Sequence, residues 1–274
     1  MTNNEFRSFL FVILYSSFVI ATSGCAARMP PRPSGTATPD PTAADAFVTA
    51  TALCDAPFRF AVEGELSLSG RAGGERVRGR VLFGLQEPGS IRLEAPAPFG
   101  AAFFILAGRN ERATLLLPRE RRVLKDTPVA DVLERITGLA LGADDLRFII
   151  SGCLVEKATL SEGRRWGTDW KAVNIAPDRV AYLRMQNGKP VLTAADYGAW
   201  HVDYAAHNAN GVARIVRVRR ATDHSIDITA RIEQFTTGGP INARAWSIDV
   251  PSGADPMTLD ELRSIAPLAD KPRQ

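Results

Sequence analysis

Histidine and cysteine are scarce: three of each occur in 274 residues, and no pair of them stands at metal-ligand spacing. Catalytic signatures are missing as well. There is no Gly-x-Ser-x-Gly elbow, no glycine-rich phosphate loop and no His-Glu-x-x-His. His201, His207 and His224 have no Ser or Cys motif to activate, and Asp144-Asp145 fall at a predicted helix start, where carboxylates favour the dipole. Charge of one sign is not in excess. Lys and Arg number 33 against 30 Asp and Glu, and the resulting +3 is too small and too evenly spread for a nucleic-acid footprint. The composition points away from an enzyme, a metal site or a cofactor, and towards a binding or structural role. With 45% hydrophobic and 23% charged residues, the chain is too apolar to be disordered.

No apolar run is long enough to span a bilayer comfortably, which takes ~20 residues. Phe9–Thr22 has instead the length of a signal peptide, and Ser23-Gly24-Cys25 follows it. A small residue before a cysteine at the end of such a run resembles a bacterial lipobox. The resemblance implies a signal peptide over 1–24, acylation of Cys25 and a stable lipid anchor; a plain secretory signal with an incidental cysteine is the alternative. Ala26, in place of Asp, implies sorting to the outer membrane, with the protein facing the periplasm. Residues 25–41 carry Pro30, Pro31, Pro33, Pro39 and Pro41 and read as an extended tether. Export would leave Cys54 and Cys153 in an oxidising compartment, either bridged or as two buried apolar residues.

From Thr42 a helix is expected, with Phe47, Ala50, Thr51 and Cys54 on one face and Pro57 ending it. Period-2 alternation follows in Phe60–Leu68 and Val77–Leu85, where Val77, Val81, Phe83 and Leu85 alternate with Arg76, Arg78 and Arg80. Further strands are expected at Ser90–Glu94, Ala102–Ala107, Arg112–Leu117 and Arg121–Lys125. The period then lengthens. Val129, Val132, Leu133 and Ile136 make a helical stripe ended by Gly138, and a second short helix fits Ala143–Ser151. Alternation returns around Trp170, Val180, Trp200, Ile215, Ile226 and Trp246–Val250, with Asn187-Gly188 and Gly238-Gly239-Pro240 among the turns. These signals predict a mainly β, α+β domain over 42–255. It is an antiparallel sheet of about ten or eleven strands curled around its own apolar face, with short helices enough to cap one mouth of a half-barrel. Residues 256–274 are expected to be a tail.

This order of helix, six strands, helical pair and remaining strands resembles the LolA/LolB lipoprotein-carrier family, and within it most nearly the outer-membrane receptor. Three stretches carry the resemblance: Ile91–Gly100, Thr127–Gly152 and Ala199-Trp-His-Val-Asp-Tyr204. It implies an unclosed half-barrel with a helical lid and an apolar cavity for acyl chains, a periplasmic LolA-like carrier as donor, and lipoprotein transfer at the outer membrane by a monomer. It also implies that Pro98-Phe99-Gly100 is a protruding loop inserting Phe99 into the membrane; the other reading folds Phe99 back with Phe103 and Phe104. The expected cavity lining is Phe60, Val62, Leu66, Val81, Phe83, Leu93, Ile105 and Trp200, with Val132, Leu133, Ile136, Leu146 and Ile149 from the lid. A structural or envelope-assembly lipoprotein with a filled interior is the alternative function.

Overall fold

A computed structural model describes residues 29–54, 61–154, 160–209, 211–265 and 267–268. Nearly all of these belong to one compact unit, Pro31–Gln274. The signal segment, Cys25 and Phe60 lie outside the described residues.

Alternation in the sequence becomes strands in the structure. Strand β2 (Ala61–Ala72) turns through Gly73 and Gly74, both at positive φ, into β3 (Glu75–Gln86). Then come β4 (Ser90–Ala95), β5 (Phe104–Arg109), β6 (Arg112–Leu117) and β7 (Arg122–Pro128). The second run comprises β8 (Ser161–Trp166), β9 (Trp170–Ala176), β10 (Arg179–Gln186), β11 (Lys189–Tyr197), β12 (Trp200–Ala205), β13 (Ile215–Arg220) and β14 (Ile226–Thr237). The Asn187-Gly188 turn between β10 and β11 has both residues at positive φ, the two-residue geometry that follows strand twist. Two-residue strands β1 (Thr38–Pro39) and β15 (Asp255–Pro256) complete a single sheet at its two ends. Its order is β1-β8-β9-β10-β11-β12-β13-β14-β2-β3-β4-β5-β6-β7-β15, so β14 pairs with β2 and joins the two halves. Among the described residues every pairing is antiparallel except β7 with β15, and β1 and β15 each have a partner strand on one side only: the half-barrel is open, as expected.

Among the described residues four short helices accompany the sheet: α1 (Ala43–Ala50), α2 (Val129–Thr137), α3 (Ala143–Ser151) and α4 (Leu259–Ile265). Helices of this length are marginal alone and form because an apolar stripe is buried. In α2 that stripe is Val129, Val132, Leu133 and Ile136, all buried, and left-handed Gly138 ends the helix.

The structure corrects the sequence reading at five points. Among the described residues there are fifteen strands rather than ten or eleven. In β11, Leu192, Thr193, Ala194 and Ala195 are all buried, so no alternation marks it, and β8 is almost wholly polar. In β5, Leu106 pairs with inward-facing Leu93, whereas Ile105 pairs with Glu94 on the outer face; Phe104 and Leu106, not Ile105, therefore face the core. Trp246–Val250 is no strand. A 3-10 turn over Ala243–Trp246 places the Trp246 ring 3.8 Å from where a Cβ on Gly84 would sit, on the outer side of β3. The second half of the expected tether is docked. β1 pairs with β8, and Arg32 bonds to Asp203 and to the carbonyl of Ala195. Finally, the described residues 256–265 and 267–268 are not a tail, since Met257, Leu262 and Leu268 are buried in the core.

Candidate functional site

A hollow of about 70 Å³ lies between the inner face of the sheet and the helices α2 and α3. The sheet side is Leu66 and Leu68 of β2, Val81 of β3, Leu93 of β4, Phe104 of β5 and Ile228 of β14. The helical side is Leu133, Ile136 and Thr137 of α2, Leu139 and Leu141 of the connection, and Leu146 and Ile150 of α3; Leu268 closes the wall. Thr137 is the one polar residue in this lining, and its hydroxyl donates to the Leu133 carbonyl of its own helix. Nothing in the wall therefore offers a free polar group to a ligand. The volume is about half of the ~150 Å³ at which an apolar cavity admits a benzene ring.

Of the expected lining, Leu66, Val81, Leu93, Leu133, Ile136 and Leu146 meet at this hollow. Val62, Phe83, Trp200, Val132 and Ile149 are buried core residues that do not line it. Phe83 packs 6.4 Å from the Phe235 ring, and the guanidinium of Arg220 lies 5.6 Å over Trp200. Phe104 was hidden by the one-residue register of β5, and Leu268 by its place in what reads as a tail. Leu139 and Leu141 were visible as an apolar Leu-Ala-Leu beside Gly138 and Gly142.

Helix α3 is fastened at both ends. Glu111, in the β5–β6 turn, accepts hydrogen bonds from the first amides of the helix, Ala143 N at 2.6 Å and Asp144 N at 3.0 Å, where negative charge also favours the dipole. Asp145 accepts from the Tyr197 hydroxyl at 2.6 Å, and Tyr204 donates to the Ile149 carbonyl at 3.1 Å. Burial, with the carboxylate of Asp145 beside it, pushes the Tyr197 hydroxyl far above its ordinary pKa. Arg147, 1% exposed, pairs with Asp144 and lies over the Phe148 ring. Beyond the other end, Cys153 forms a disulfide with Cys54, which follows α1. The bridge staples the two helical regions, one of the two outcomes left open above.

The Pro98-Phe99-Gly100 loop stands away from the sheet between β4 and β5. Phe99 is 90% exposed, and Gly100 takes the positive φ of +77° with open space around it. Arg119 braces the loop from the β6–β7 hairpin, donating to the carbonyls of Ala101 at 3.0 Å and Phe99 at 3.1 Å while its guanidinium covers the Phe103 ring at 4.3 Å. Phe104 alone of the three phenylalanines turns inward.

A polar network on the outer face of β11–β13 holds the N-terminal segment. Arg32 and the Nδ1 of His201 (2.6 Å) both meet Asp196, and Asp203 lies between Arg32 and Arg219. Further along, buried Asp40 accepts from Thr42 and from the Lys171 ammonium at 2.7 Å. Burial raises the Asp40 pKa, but the hydrogen bonds from Lys171 and Thr42 outweigh it and hold the carboxyl at about 2. Because that value lies below the unfolded 3.8, the stabilisation is complete at neutral pH and is withdrawn as pH falls from about 4 to about 2. Proteolysis near 38–42 is expected to accelerate over that range, and Asp40→Asn should remove the pH dependence; an unchanged cleavage profile between pH 5 and pH 2 would refute the assignment. None of the three histidines faces a nucleophile in the bonds observed. His207 donates from Nε2 to the Leu192 carbonyl at 2.9 Å, and burial lowers its pKa. Among the described residues no group of three or more His, Cys, Asp or Glu is placed to hold a metal, and no helix is long and apolar enough to cross a membrane.

No family model and no curated protein matches the sequence. Among solved structures, the chain is similar to a LolA superfamily protein from Nitrosomonas europaea, with a TM-score of 0.46 and 7% identity over 73% of this chain and 98% of that one. It is also similar to an outer membrane lipoprotein-sorting protein domain from Vibrio parahaemolyticus (TM-score 0.38, 11% identity, 74% and 94% covered). A DUF1329 family protein from Desulfovibrio piger gives a TM-score of 0.43 at 10% identity, with 76% and 98% covered. These likenesses are of fold alone.

Proposed function

We propose that this protein is a lipoprotein anchored through Cys25 in the outer membrane and facing the periplasm. In this reading it shelters an acyl chain of a lipid or lipoprotein beneath α2 and α3 and takes part in passing it, from a periplasmic carrier, to the membrane. One observation carries the reading: the sheet and the two helices enclose a hollow whose wall presents only aliphatic and aromatic groups and one internally satisfied hydroxyl. A wall of that kind discriminates for hydrocarbon, because a polar group placed there would lose its water without finding a partner. No bond is made or broken; the chain moves between apolar surroundings, from hollow to bilayer. At about 70 Å³ the hollow admits only the end of a chain until part of its wall moves. That small volume favours the second reading, a structural or assembly lipoprotein whose interior stays filled. Titration with a fluorescent fatty acid separates the two: saturable binding supports the acyl-chain reading, and none supports the filled one.

Phe99 is the group best placed to meet the bilayer. Its side chain has little protein around it, and burial of a phenylalanine is worth about 1.5–3 kcal/mol. Phe99→Glu is expected to leave the melting temperature within about 1 °C and to weaken association with phospholipid vesicles by about tenfold or more. Flotation at wild-type level would remove Phe99 from the account.

A further inference from the structure

The chain after β14 does more than end. It pairs β15 with Arg122 and Val123 of β7, runs α4 against α2, and arrives at β3 with Leu268. There β3 has a gap to offer. β4 covers only its Leu82–Gln86 half, so the edge over Glu75–Val81 has no strand beside it on that side among the described residues. The Leu268 carbonyl accepts from the Arg78 amide at 3.1 Å in that gap. Gly79 makes the seat. A Cβ built there would stand 2.8 Å from the Leu268 Cδ2, so any larger residue would push the leucine out. With Gly79 in place, the Leu268 side chain reaches the hollow and forms part of its wall, next to Leu66 and Val81.

We propose that Leu268 is a resident occupant of the acyl-chain site, and that an incoming unbranched hydrocarbon chain enters at the β3 edge by displacing it. The inference rests on the acyl-chain reading above and names its portal and its regulation. The chemistry is matched: the branched alkyl end of a leucine and the methyl end of an acyl chain fill the same apolar space, while the chain brings more methylene groups to the exchange. The fastenings are unequal in the same sense. Helix α3 is tied by the disulfide, by Glu111 at its first amides and by Tyr197 and Tyr204, so that side of the wall resists movement. The terminal strap is anchored at its start by Met257 and Leu262, buried in the core, and beyond them its charged contacts are two ion pairs, Arg122 with Glu261 at 2.8 Å and Arg135 with Asp260 at 3.9 Å, whose acidic partners are half and almost wholly in water. Exposed pairs of this kind hold weakly. The strap end is therefore the part of the wall that yields first.

The test uses 11-(dansylamino)undecanoic acid with the full chain. Leu268→Ala is expected to bind the probe about tenfold more tightly than wild type, because nothing must be displaced. In the wild-type chain, saturating probe is expected to speed hydrogen exchange at the Arg78 amide by about tenfold, since its acceptor leaves, while the paired Leu85 amide in β3 is unaffected. Equal probe affinity in the two chains, with Arg78 exchange unmoved, overturns the strap as occupant and leaves the acyl-chain reading in place. Absence of binding in both overturns both. If Leu268→Ala fails to fold, the exchange measurement on wild type decides alone: faster exchange supports displacement, and unchanged or slower exchange overturns it.

Discussion

Replacing Cys54 and Cys153 together by serine is expected to lower the unfolding free energy by about 4 kcal/mol. The bridge joins positions 99 residues apart, so it closes a long loop in the unfolded chain, and loops near that length lose about 4–5 kcal/mol of closure entropy in the chain-entropy view. For a protein of this size the change corresponds to a melting temperature lower by about 10 °C. The location gives the loss a second signature. Cys153 lies two residues past the end of α3, so hydrogen exchange over 143–151 should rise more than exchange in β3, which the bridge does not touch. Reduction of the wild-type protein by dithiothreitol should reproduce both effects. A melting point within about 2 °C of wild type in both experiments would show that the bridge does not constrain the unfolded chain as argued.

Filling the hollow is expected to weaken ligand uptake sharply without unfolding the protein. Val81 projects from β3 into the hollow, and Val81→Phe places an aromatic ring where an alkyl chain would lie. If the ring excludes roughly three methylene groups at about 0.8 kcal/mol each, about 2.4 kcal/mol of binding is lost, or about sixtyfold in affinity for a fluorescent fatty acid. Overpacking a dense core destabilises by about 1–3 kcal/mol, but here the added atoms enter existing empty space, so the melting temperature should stay within about 2 °C. Val81→Ala makes the opposite change. It should weaken folding by about 2 kcal/mol while binding the probe at least as tightly as wild type. The pair separates site from stability: if affinity follows melting temperature in both variants, the probe is reporting unfolding and the hollow is not its site.

How far the site was legible depended on the signal each residue carries. Leu66, Val81 and Leu93 sit on strands whose polar residues alternate cleanly, and Leu133, Ile136 and Leu146 on helices with a clear stripe; their inward direction follows from period alone. Ile105 was misplaced because Phe-Phe-Ile-Leu is apolar on both faces, and only pairing of Leu106 with Leu93 chooses between them. Val62, Phe83 and Trp200 point inward as read, yet inward covers both the packed core and the hollow, and sequence does not divide the two. Arg32 looked like one charge in a proline-rich tether; its partners Asp196 and Asp203 stand 164 and 171 residues away.

Local patterning by itself determined that this chain makes an antiparallel sheet with two short helices inserted after the sixth long strand; that the sheet stays open is a matter of which strands pair. Alternation, helical stripes, positive-φ glycines and turn pairs act over a few residues, and each is written where it acts. Contacts between distant segments were decided only by the folded chain: the pairing of β14 with β2, the Cys54–Cys153 bridge, the docking of Arg32, and Leu268 seated over Gly79. Their partners are chosen by which surfaces the curled sheet leaves uncovered, and that choice exists only once the sheet has formed.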